Sequence, residues 1–160
     1  EGVAVKYKTF DHMNCSLAQT LNIIGERWTL LILRDAFLGA KRFGQFQRSL
    51  GIAKNILSAR LTMLLEEGIL ERRESSEGAH TEYVLTQCGL ELQPVLLSMT
   101  HWGDKHRPNA EGDRLIFTDR VSGKPIRRMG VISEDGRILK AREVSALAGP
   151  GIGGQPTGFR

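Results

Sequence analysis

The stretch from residue 42 to residue 65, RFGQFQRSLGIAKNILSARLTMLL, limits the fold of this chain more than any other part of it. Its first half carries one apolar face at helical spacing, formed by Phe43, Phe46 and Leu50. Gly51 interrupts that pattern, and a second apolar face then begins. This second face is formed by Leu57, Leu61, Leu64 and Leu65. The pattern predicts two short helices joined by a tight turn, with the second helix starting at about Ala53.

The outward face of the second predicted helix carries small and polar side chains. At about 100° per residue, Asn55, Ser58 and Thr62 lie opposite the leucines, and Lys54 lies in the first turn. Short polar side chains read base edges, and the backbone N–H groups at a helix start bind phosphate. The pattern therefore predicts that these four residues face the bases of a DNA major groove. The alternative is an ordinary solvated face on a helical hairpin, which this stretch alone leaves open.

Two β-strands joined by a polar turn are predicted directly after this helix pair. Gly68 is a natural left-handed end for the second helix. The segments ILERR and EYVLT then flank the polar, glycine-containing segment ESSEGAHT. Helix, turn, helix and hairpin in this order predict a winged helix-turn-helix, with the hairpin beside the second helix.

Basic residues beside these elements predict contacts with the phosphate backbone of DNA. The predicted phosphate contacts are Lys41, Arg42, Arg72 and Arg73, with His80 as a further candidate. For Arg72 and Arg73, a solvated strand edge is an equally good explanation. Glu74 and Glu77 in the same hairpin would weaken a contact made by its tip. Arg60 lies on the flank of the second helix, and we expect it to pair with an acidic side chain within the domain.

Two more helices are predicted before this pair. Ser16 followed by Gln19 fits a capping box and predicts a helix that ends at Gly25. The segment GERWTLLILRDAFLG predicts a helix that is apolar nearly all round and closes at Gly39. Such a helix belongs in the core, and we assign Trp28 to the core as well.

A long helix with surplus apolar surface is predicted after the hairpin. Thr86 is expected to cap it, Lys105 lies near its end, and Pro94 is expected to kink it. One small domain does not cover all of its apolar stripes, so a symmetric partner chain is predicted to do so. The residues of these stripes are Leu92, Val95, Leu96, Met99 and Trp102.

The chain is predicted to be α+β and mainly helical, with four parts. Residues 1–14 form an N-terminal arm, and residues 15–107 form the winged helix-turn-helix and dimerisation domain. Residues 108–148 form a small β-rich C-terminal appendage, in which SGK and EDGR predict two hairpin-like turns. The glycine- and proline-rich residues 149–160 are expected to be a flexible tail.

Charge and cysteine content narrow the class of protein. Residues 26–73 hold nine basic and five acidic side chains, whereas residues 74–112 hold two and six, and residues 113–160 again hold nine and five. The basic helix pair favours a polyanion partner. Two cysteines are too few for a disulfide framework, and no run of about 18 apolar residues is present. We therefore predict a cytoplasmic chain with no membrane partner.

With these elements in place, the chain resembles the HxlR-type family of bacterial winged-helix transcriptional regulators. The resemblance covers about residues 15–103 and rests on several blocks in the same order. These blocks are Cys15, GERWTLLIL, GAKRFGQFQRSLGIAKNILSARLTMLLEEGIL, YVLTQCGLEL and HWG. Together they are specific, although each block alone is moderate evidence.

The resemblance implies a homodimer that binds double-stranded DNA at a pseudo-palindromic operator and represses or activates transcription. It implies that terminal helices form the dimer contact, which adds Leu17 and Leu21 to the stripe residues of the long helix. Members of this family include redox and electrophile sensors with an N-terminal cysteine at about the place of Cys15, so redox sensing is a hypothesis here. A helix N-terminus would also stabilise a thiolate at that position. The alternative is a small buried residue at the dimer contact.

Two departures from the family pattern bear on the site. Ala53 stands where many members have Ser or Thr before the recognition helix, so a side-chain cap is missing or comes from elsewhere. The chain also continues for more than fifty residues beyond the HWG block, and residues 109–160 contain no Cys or His. We therefore expect no metal and no cofactor.

Three other functions compete with DNA-binding regulation. His101, Asp104 and His106 do not share one helix face, and no nucleophile or phosphate-loop motif is present, so an enzyme is not predicted. A winged-helix module that binds protein rather than DNA is the main alternative. A regulator controlled by a small-molecule effector, bound between the long helix and the β-rich appendage, is a further one.

Overall fold

Residues 9–75, 78 and 80–152, which the computed structural model describes, form six α-helices and two antiparallel hairpins. The helices are α1 (Ser16–Ile24), α2 (Arg27–Phe37), α3 (Phe43–Leu50), α4 (Lys54–Glu66), α5 (Gln87–Leu90) and α6 (Gln93–His106). The strands are β1 (Leu70–Glu74), β2 (Thr81–Leu85), β3 (Val131–Ile132) and β4 (Ile138–Leu139). The predicted α+β, mainly helical class is thereby confirmed.

The chain divides into two compact units, a winged unit up to Leu96 and a C-terminal unit from Leu97 on. The finer division into an arm, a domain, an appendage and a tail stays a prediction. Most of the arm and tail, residues 1–8 and 153–160, lies outside the described residues.

The core of the winged unit lies where α2, α3, α4 and β1 meet. The predicted helix pair is confirmed, with Gly51 between its helices in the left-handed conformation at φ 60°. Ten apolar residues form one buried cluster: Ile24, Ile32, Leu33, Phe46, Ile52, Leu57, Leu61, Leu64, Ile69 and Leu70. Burying a side chain of this size contributes about 1.5–3 kcal/mol, so this cluster dominates the stability of the unit.

The hairpin of β1 and β2, here called the wing, is tied to the helices by two hydrogen bonds. In β1 and β2, Leu70 pairs with Leu85 and Arg72 with Tyr83. The backbone N–H of Tyr83 donates to the carbonyl of Lys41 at 2.7 Å, which ties β2 to the segment before α3. The Thr86 hydroxyl donates to the carbonyl of Gly68 at 2.6 Å, which ties the end of the hairpin to the end of α4.

The start of α1 differs from the prediction, because the Ser16–Gln19 capping box is absent. Cys15 is the N-cap residue, in extended conformation and without a side-chain cap bond, so Ser16 is already helical. The Gln19 amide instead donates to the carbonyl of Met13 at 2.9 Å. A serine three residues before a glutamine fits a cap and a first turn equally well, so the sequence pattern was ambiguous.

The single kinked helix predicted after the hairpin was also wrong. Thr86 does cap a helix, accepting from the N–H of Gly89 at 3.1 Å, but that helix is only α5. The chain then turns at Glu91, and α6 starts anew. Pro94 lies in the first turn of α6, where its missing N–H has no helical partner to lose, so it begins a helix rather than kinking one.

The C-terminal unit consists of the rest of α6 and short β structure. Both predicted turns are confirmed: Thr118 and Pro125 form a bridge around one, and β3 and β4 flank the other. Along residues 97–151, no described residue is buried. This unit therefore has hairpins and a helix but no enclosed core of its own.

Candidate nucleic-acid interface

Helix α4 presents a polar face to solvent and an apolar face to the core. Its four predicted base-reading residues, Lys54, Asn55, Ser58 and Thr62, are all exposed. Of the four leucines opposite them, Leu57, Leu61 and Leu64 have no more than 1% of their surface exposed, and Leu65 is partly buried. Ala53 is the N-cap residue, and an alanine side chain cannot accept a hydrogen bond. The side chain of the N-cap residue therefore leaves the first-turn N–H groups of α4 unbonded. This arrangement suits an element that enters a groove and meets phosphate with its leading end.

The orientation of α4 is linked to the start of α2 by one carboxylate. The Oε2 atom of Glu26 accepts from the backbone N–H groups of Trp28 at 2.9 Å and Thr29 at 3.3 Å, which caps α2. The same oxygen lies 3.4 Å from Nε of Arg60, a residue of α4. The expected pairing of Arg60 with an acid of its own domain is thus confirmed. Sequence reasoning did not identify Glu26 as that acid, because the two residues lie far apart in the chain.

Two predicted phosphate contacts lie against an acidic residue of the wing. The Nζ atom of Lys41 and the Nε atom of Arg42 are each 3.9 Å from the carboxylate of Glu82. Both cations share this one anion, which therefore offsets only part of their charge. Glu82 was not singled out from the sequence, since the register that brings it here depends on the bond between Tyr83 and Lys41.

The other two predicted phosphate contacts point to opposite faces of the wing. Successive side chains alternate along a strand, so Arg72 shares the face of buried Leu70, and Arg73 takes the other. The guanidinium of Arg72 lies 6.0 Å from the ring centre of Tyr83. Arg73 instead pairs with Glu71 on the opposite face. Only Arg72 is therefore on the face of the wing that packs toward the helix pair.

The predicted dimer residues divide into two groups. Leu92 and Leu96 pack against the core of the winged unit and are partly buried. The remaining five, Leu17, Leu21, Val95, Met99 and Trp102, are exposed. On α6 the exposed members follow i, i+4, i+7 spacing and so form one stripe. The structure thus leaves apolar surface on both α1 and α6.

Both cysteines are exposed free thiols. Cys15 stands at the N-cap position of α1, and Cys88 lies in the short helix α5. The exposed thiol of Cys15 is accessible to a small oxidant.

The winged unit also contains an open cavity of about 640 Å³ beside the pair of Glu26 and Arg60. Its lining is mixed, with apolar Phe10, Leu21 and Met63 beside the charged groups. A volume of this size is within the range of small-molecule sites. The location differs from the predicted effector site, which lies in another part of the chain.

Among the described residues, no helix is long and apolar enough to cross a bilayer. Within the same residues, no three His, Cys, Asp or Glu side chains come together as metal ligands would.

Fold and site together define a winged helix-turn-helix of the kind that places one helix in a DNA groove. The HxlR-like helix-turn-helix family model matches residues 23–111 of this chain. The chain belongs to the HxlR-like helix-turn-helix family.

Known relatives of this chain are regulators. The uncharacterised HTH-type transcriptional regulator Rv3095 of Mycobacterium tuberculosis is 39% identical over 138 residues, which cover 86% of this chain and 87% of the relative. Among solved structures, the candidate transcription factor PA1607 is 41% identical with a TM-score of 0.77, covering 83% of this chain and 94% of its own. The reduced form of the redox regulator HypR is 32% identical with a TM-score of 0.54, and the match covers 58% of this chain and 94% of the HypR chain.

Proposed function

We propose that this protein is a homodimeric transcriptional regulator that binds double-stranded DNA sequence-specifically, with α4 as its recognition helix. The observation that carries the proposal is the exposed polar face of α4, a helix whose other face packs Leu57, Leu61 and Leu64 into the core. A helix held this firmly can present short polar side chains to base edges with little loss of side-chain freedom. Membership of a family of transcriptional regulators supports the same conclusion.

The homodimer provides two recognition helices related by a two-fold axis. They would enter successive major grooves of a pseudo-palindromic operator, about one helical turn or a multiple apart. The exposed apolar residues of α1 and α6 support this assembly, because a water-exposed stripe of that size is typical of an interface. Lys41, Arg42 and Arg72 would hold the phosphate backbone from either side of α4, and Arg73 would do so only from the far face of the wing.

The experiment that tests specific binding is fluorescence anisotropy on two duplexes at two salt concentrations. One duplex is the intergenic DNA upstream of the protein's own gene, and the other has the same composition in scrambled order. We expect the first to bind tighter by about a thousandfold or more. Equal, weak and steeply salt-dependent binding to both duplexes would contradict specific recognition.

Asn55→Ala should weaken binding to the specific duplex by about 1–3 kcal/mol and relax preference at one base position, because an amide that reads a base edge is lost. Lys54→Gln should also weaken binding to the specific duplex more than to the scrambled one, because Lys54 is assigned to a base edge rather than to phosphate. Asn109→Ala, an exposed amide in the C-terminal unit, is the matched control. Equal losses for Asn55→Ala on specific and scrambled DNA would reject its assignment as a base reader.

A winged-helix module that binds another protein is the rival function. If this rival is correct, the protein binds neither duplex at low salt. Substitutions in α4 or in the wing then abolish binding to the partner protein. The exposed face of α4 has few large apolar side chains, which are the usual anchors of protein interfaces, so the rival is less well supported.

Redox control through Cys15 is the second part of the proposal. It rests on the exposure of the thiol at the start of α1, and on similarity to the redox regulator HypR. Hydrogen peroxide would transfer one oxygen to the Cys15 thiolate, giving a sulfenic acid and hydroxide. Oxidation should release the specific duplex from the protein with its original sequence and from the Cys88→Ser variant, but not from the Cys15→Ser variant. Release that persists in Cys15→Ser would contradict sensing at this residue.

A further inference from the structure

The cavity of about 640 Å³ in the winged unit is lined by three helices and by the segment before α1. Leu21 and Ile23 come from α1, Arg27 from the start of α2, and Arg60 and Met63 from α4. At about 100° per residue, the two α4 residues lie on a different side of that helix from its base-reading face. A molecule in the cavity therefore touches α4 without blocking the surface proposed for DNA.

Hydrogen bonds hold the segment before α1 in place as one wall of the cavity. The backbone N–H of Phe10 donates to Oδ1 of Asn22 at 2.8 Å, and the Asn22 amide donates to the Asp11 carboxylate at 2.9 Å. The Gln19 amide also donates to the carbonyl of Met13 at 2.9 Å. Phe10 and Asn22 both line the cavity. This wall is thus formed before anything binds, so a ligand loses little free energy to ordering it.

The lining carries more positive than negative charge, and one of its donors has no acceptor. Its charged residues are Glu26, Arg27 and Arg60. The Nε atom of Arg60 is buried without a hydrogen-bond partner among the described residues, since its 3.4 Å contact with Glu26 is not aligned as a hydrogen bond. The guanidinium of Arg27 lies 5.8 Å from the ring centre of Trp28, a contact that does not neutralise its charge. An anion placed here would satisfy both arginines.

We propose that this cavity binds a small aromatic carboxylate and that binding changes the position of α4. A guanidinium matches a carboxylate well, because two parallel N–H groups can donate to its two oxygens. Phe10, Leu21 and Met63 supply apolar surface for the rest of the molecule. A phenyl ring and a thioether both contact aromatic rings favourably. A doubly charged phosphate fits less well, because the Glu26 carboxylate repels it more strongly than a single charge.

Binding is coupled to α4 through Arg60. This residue belongs to α4, and its acidic partner Glu26 caps α2. The ligand carboxylate competes with Glu26 for the guanidinium, so the contact between α4 and α2 differs between the free and the liganded protein. Ligand and specific DNA therefore lower each other's affinity by the same factor. The coupling rests on the proposed function, whereas binding in the cavity does not.

Isothermal titration calorimetry of the full chain without DNA tests the site. The two compounds are 3-phenylpropanoate and its neutral counterpart 3-phenylpropanamide, which differ in charge but hardly in shape. Leu21 also belongs to the proposed dimer contact, so the chain is titrated in its own state of assembly. We expect the acid to bind with a dissociation constant below about 1 mM, and the amide at least about tenfold more weakly. Equal affinities, or no binding of the acid up to about 10 mM, would overturn the inference.

Three arginine variants separate the charge contact from general effects on the fold. Arg60→Gln should weaken binding of the acid at least about tenfold and change that of the amide less than about twofold, because only the anion uses the guanidinium. Arg27→Gln, at an exposed position, should weaken the acid about threefold or more, and it keeps the test available if Arg60→Gln does not fold. Arg48→Gln, on an exposed arginine of α3 outside the lining, is the matched control and should change neither by more than about twofold. Equal losses of acid and amide in both cavity variants would overturn the carboxylate assignment.

Fluorescence anisotropy on the specific duplex, with and without saturating 3-phenylpropanoate, tests the coupling. The dissociation constant for this duplex should rise at least about fivefold in the original protein and stay unchanged in Arg60→Gln. Ligand binding that leaves DNA affinity unchanged would overturn the coupling. If the protein binds no duplex specifically, the proposed function fails, while the calorimetry still decides whether the cavity binds the acid. The two failures can therefore be told apart.

Discussion

The winged unit and the C-terminal unit contain similar elements but are stabilised differently. In the winged unit, a hairpin of two five-residue strands lies beside ten apolar residues that form one buried cluster. In the C-terminal unit, β3 and β4 have two residues each, and no described residue up to 151 is buried. Local hydrogen bonds can therefore shape a hairpin without a core, but only burial makes the unit independently stable.

This difference matches a division of roles. Under the proposed function, the winged unit must hold α4 rigidly, since base reading depends on side-chain positions that do not move. The C-terminal unit contains none of the proposed base-reading residues, and its apolar groups stay exposed. Substitution of an apolar side chain in each unit, substitution of a turn glycine in each unit, and acid should each affect the two units differently, with effects that decrease in that order.

Phe46→Ala should lower the free energy of unfolding by about 3–5 kcal/mol, because it removes a fully buried ring from the core. Ile138→Ala, on a side chain 68% exposed, should lower it by less than about 0.5 kcal/mol in dilute monomer. Urea unfolding at low protein concentration measures both. Similar losses for the two variants would show that the C-terminal unit has a core of its own.

Gly51→Ala should destabilise the winged unit by about 1–2 kcal/mol. The residue has φ 60°, and a methyl group added there would meet no neighbouring atom, so the cost is that of the backbone conformation alone. Gly136→Ala, at φ 83° in the turn between β3 and β4, carries a similar local cost. Amide exchange of Leu57 and Leu61 should speed up in the first variant only. An equal acceleration in both would mean that the two units unfold together.

Acid should loosen the turns of the C-terminal unit. Backbone N–H groups of Val121 and Ser122 donate to the Asp119 carboxylate and lower its pKa below the ordinary 3.8. The Arg137 side chain donates to the Asp135 carboxylate and lowers its pKa as well. A lowered pKa means that the ionised carboxylates stabilise these turns above about pH 4, and that this stabilisation is lost as pH falls through the folded-state pKa values. Both carboxylates are fully solvent-exposed, so the effect is small.

A titration of the Val121 amide resonance by NMR measures this effect. Its midpoint should lie below 3.8, and the pH-dependent shift should vanish in Asp119→Asn. A midpoint at or above 3.8 would contradict the bond between the Asp119 carboxylate and this amide.

The fold of the winged unit was largely predictable from the sequence, because its strongest signals are repetitive. Phe46 with its neighbours and Leu57 with the other leucines repeat at helical spacing, and Gly51 and Gly68 mark the two helix ends. The base-reading face of α4 followed from the same periodicity, since residues opposite a buried stripe must be exposed. Its role in reading bases remains a prediction.

Two kinds of feature could not be predicted: contacts between residues that lie far apart in the chain, and local structures for which the sequence pattern allows two alternatives. The pair of Arg60 and Glu26 and the cluster around Glu82 need the tertiary fold to bring distant residues together. The predictions of a cap at Ser16 and of a kink at Pro94 were wrong for another reason. Each pattern permits two local structures of similar energy, and the surrounding chain selects one of them.

Under the proposed function, the shared carboxylate of Glu26 has a consequence for how DNA preference changes over evolution. Because one oxygen both caps α2 and pairs with Arg60, a substitution at Glu26 alters the position of α4, the proposed recognition helix, without changing any proposed base-reading residue. A selection for altered operator preference should therefore return changes at Glu26 as well as on α4. Paralogues with identical recognition faces can diverge in target sites through this remote position.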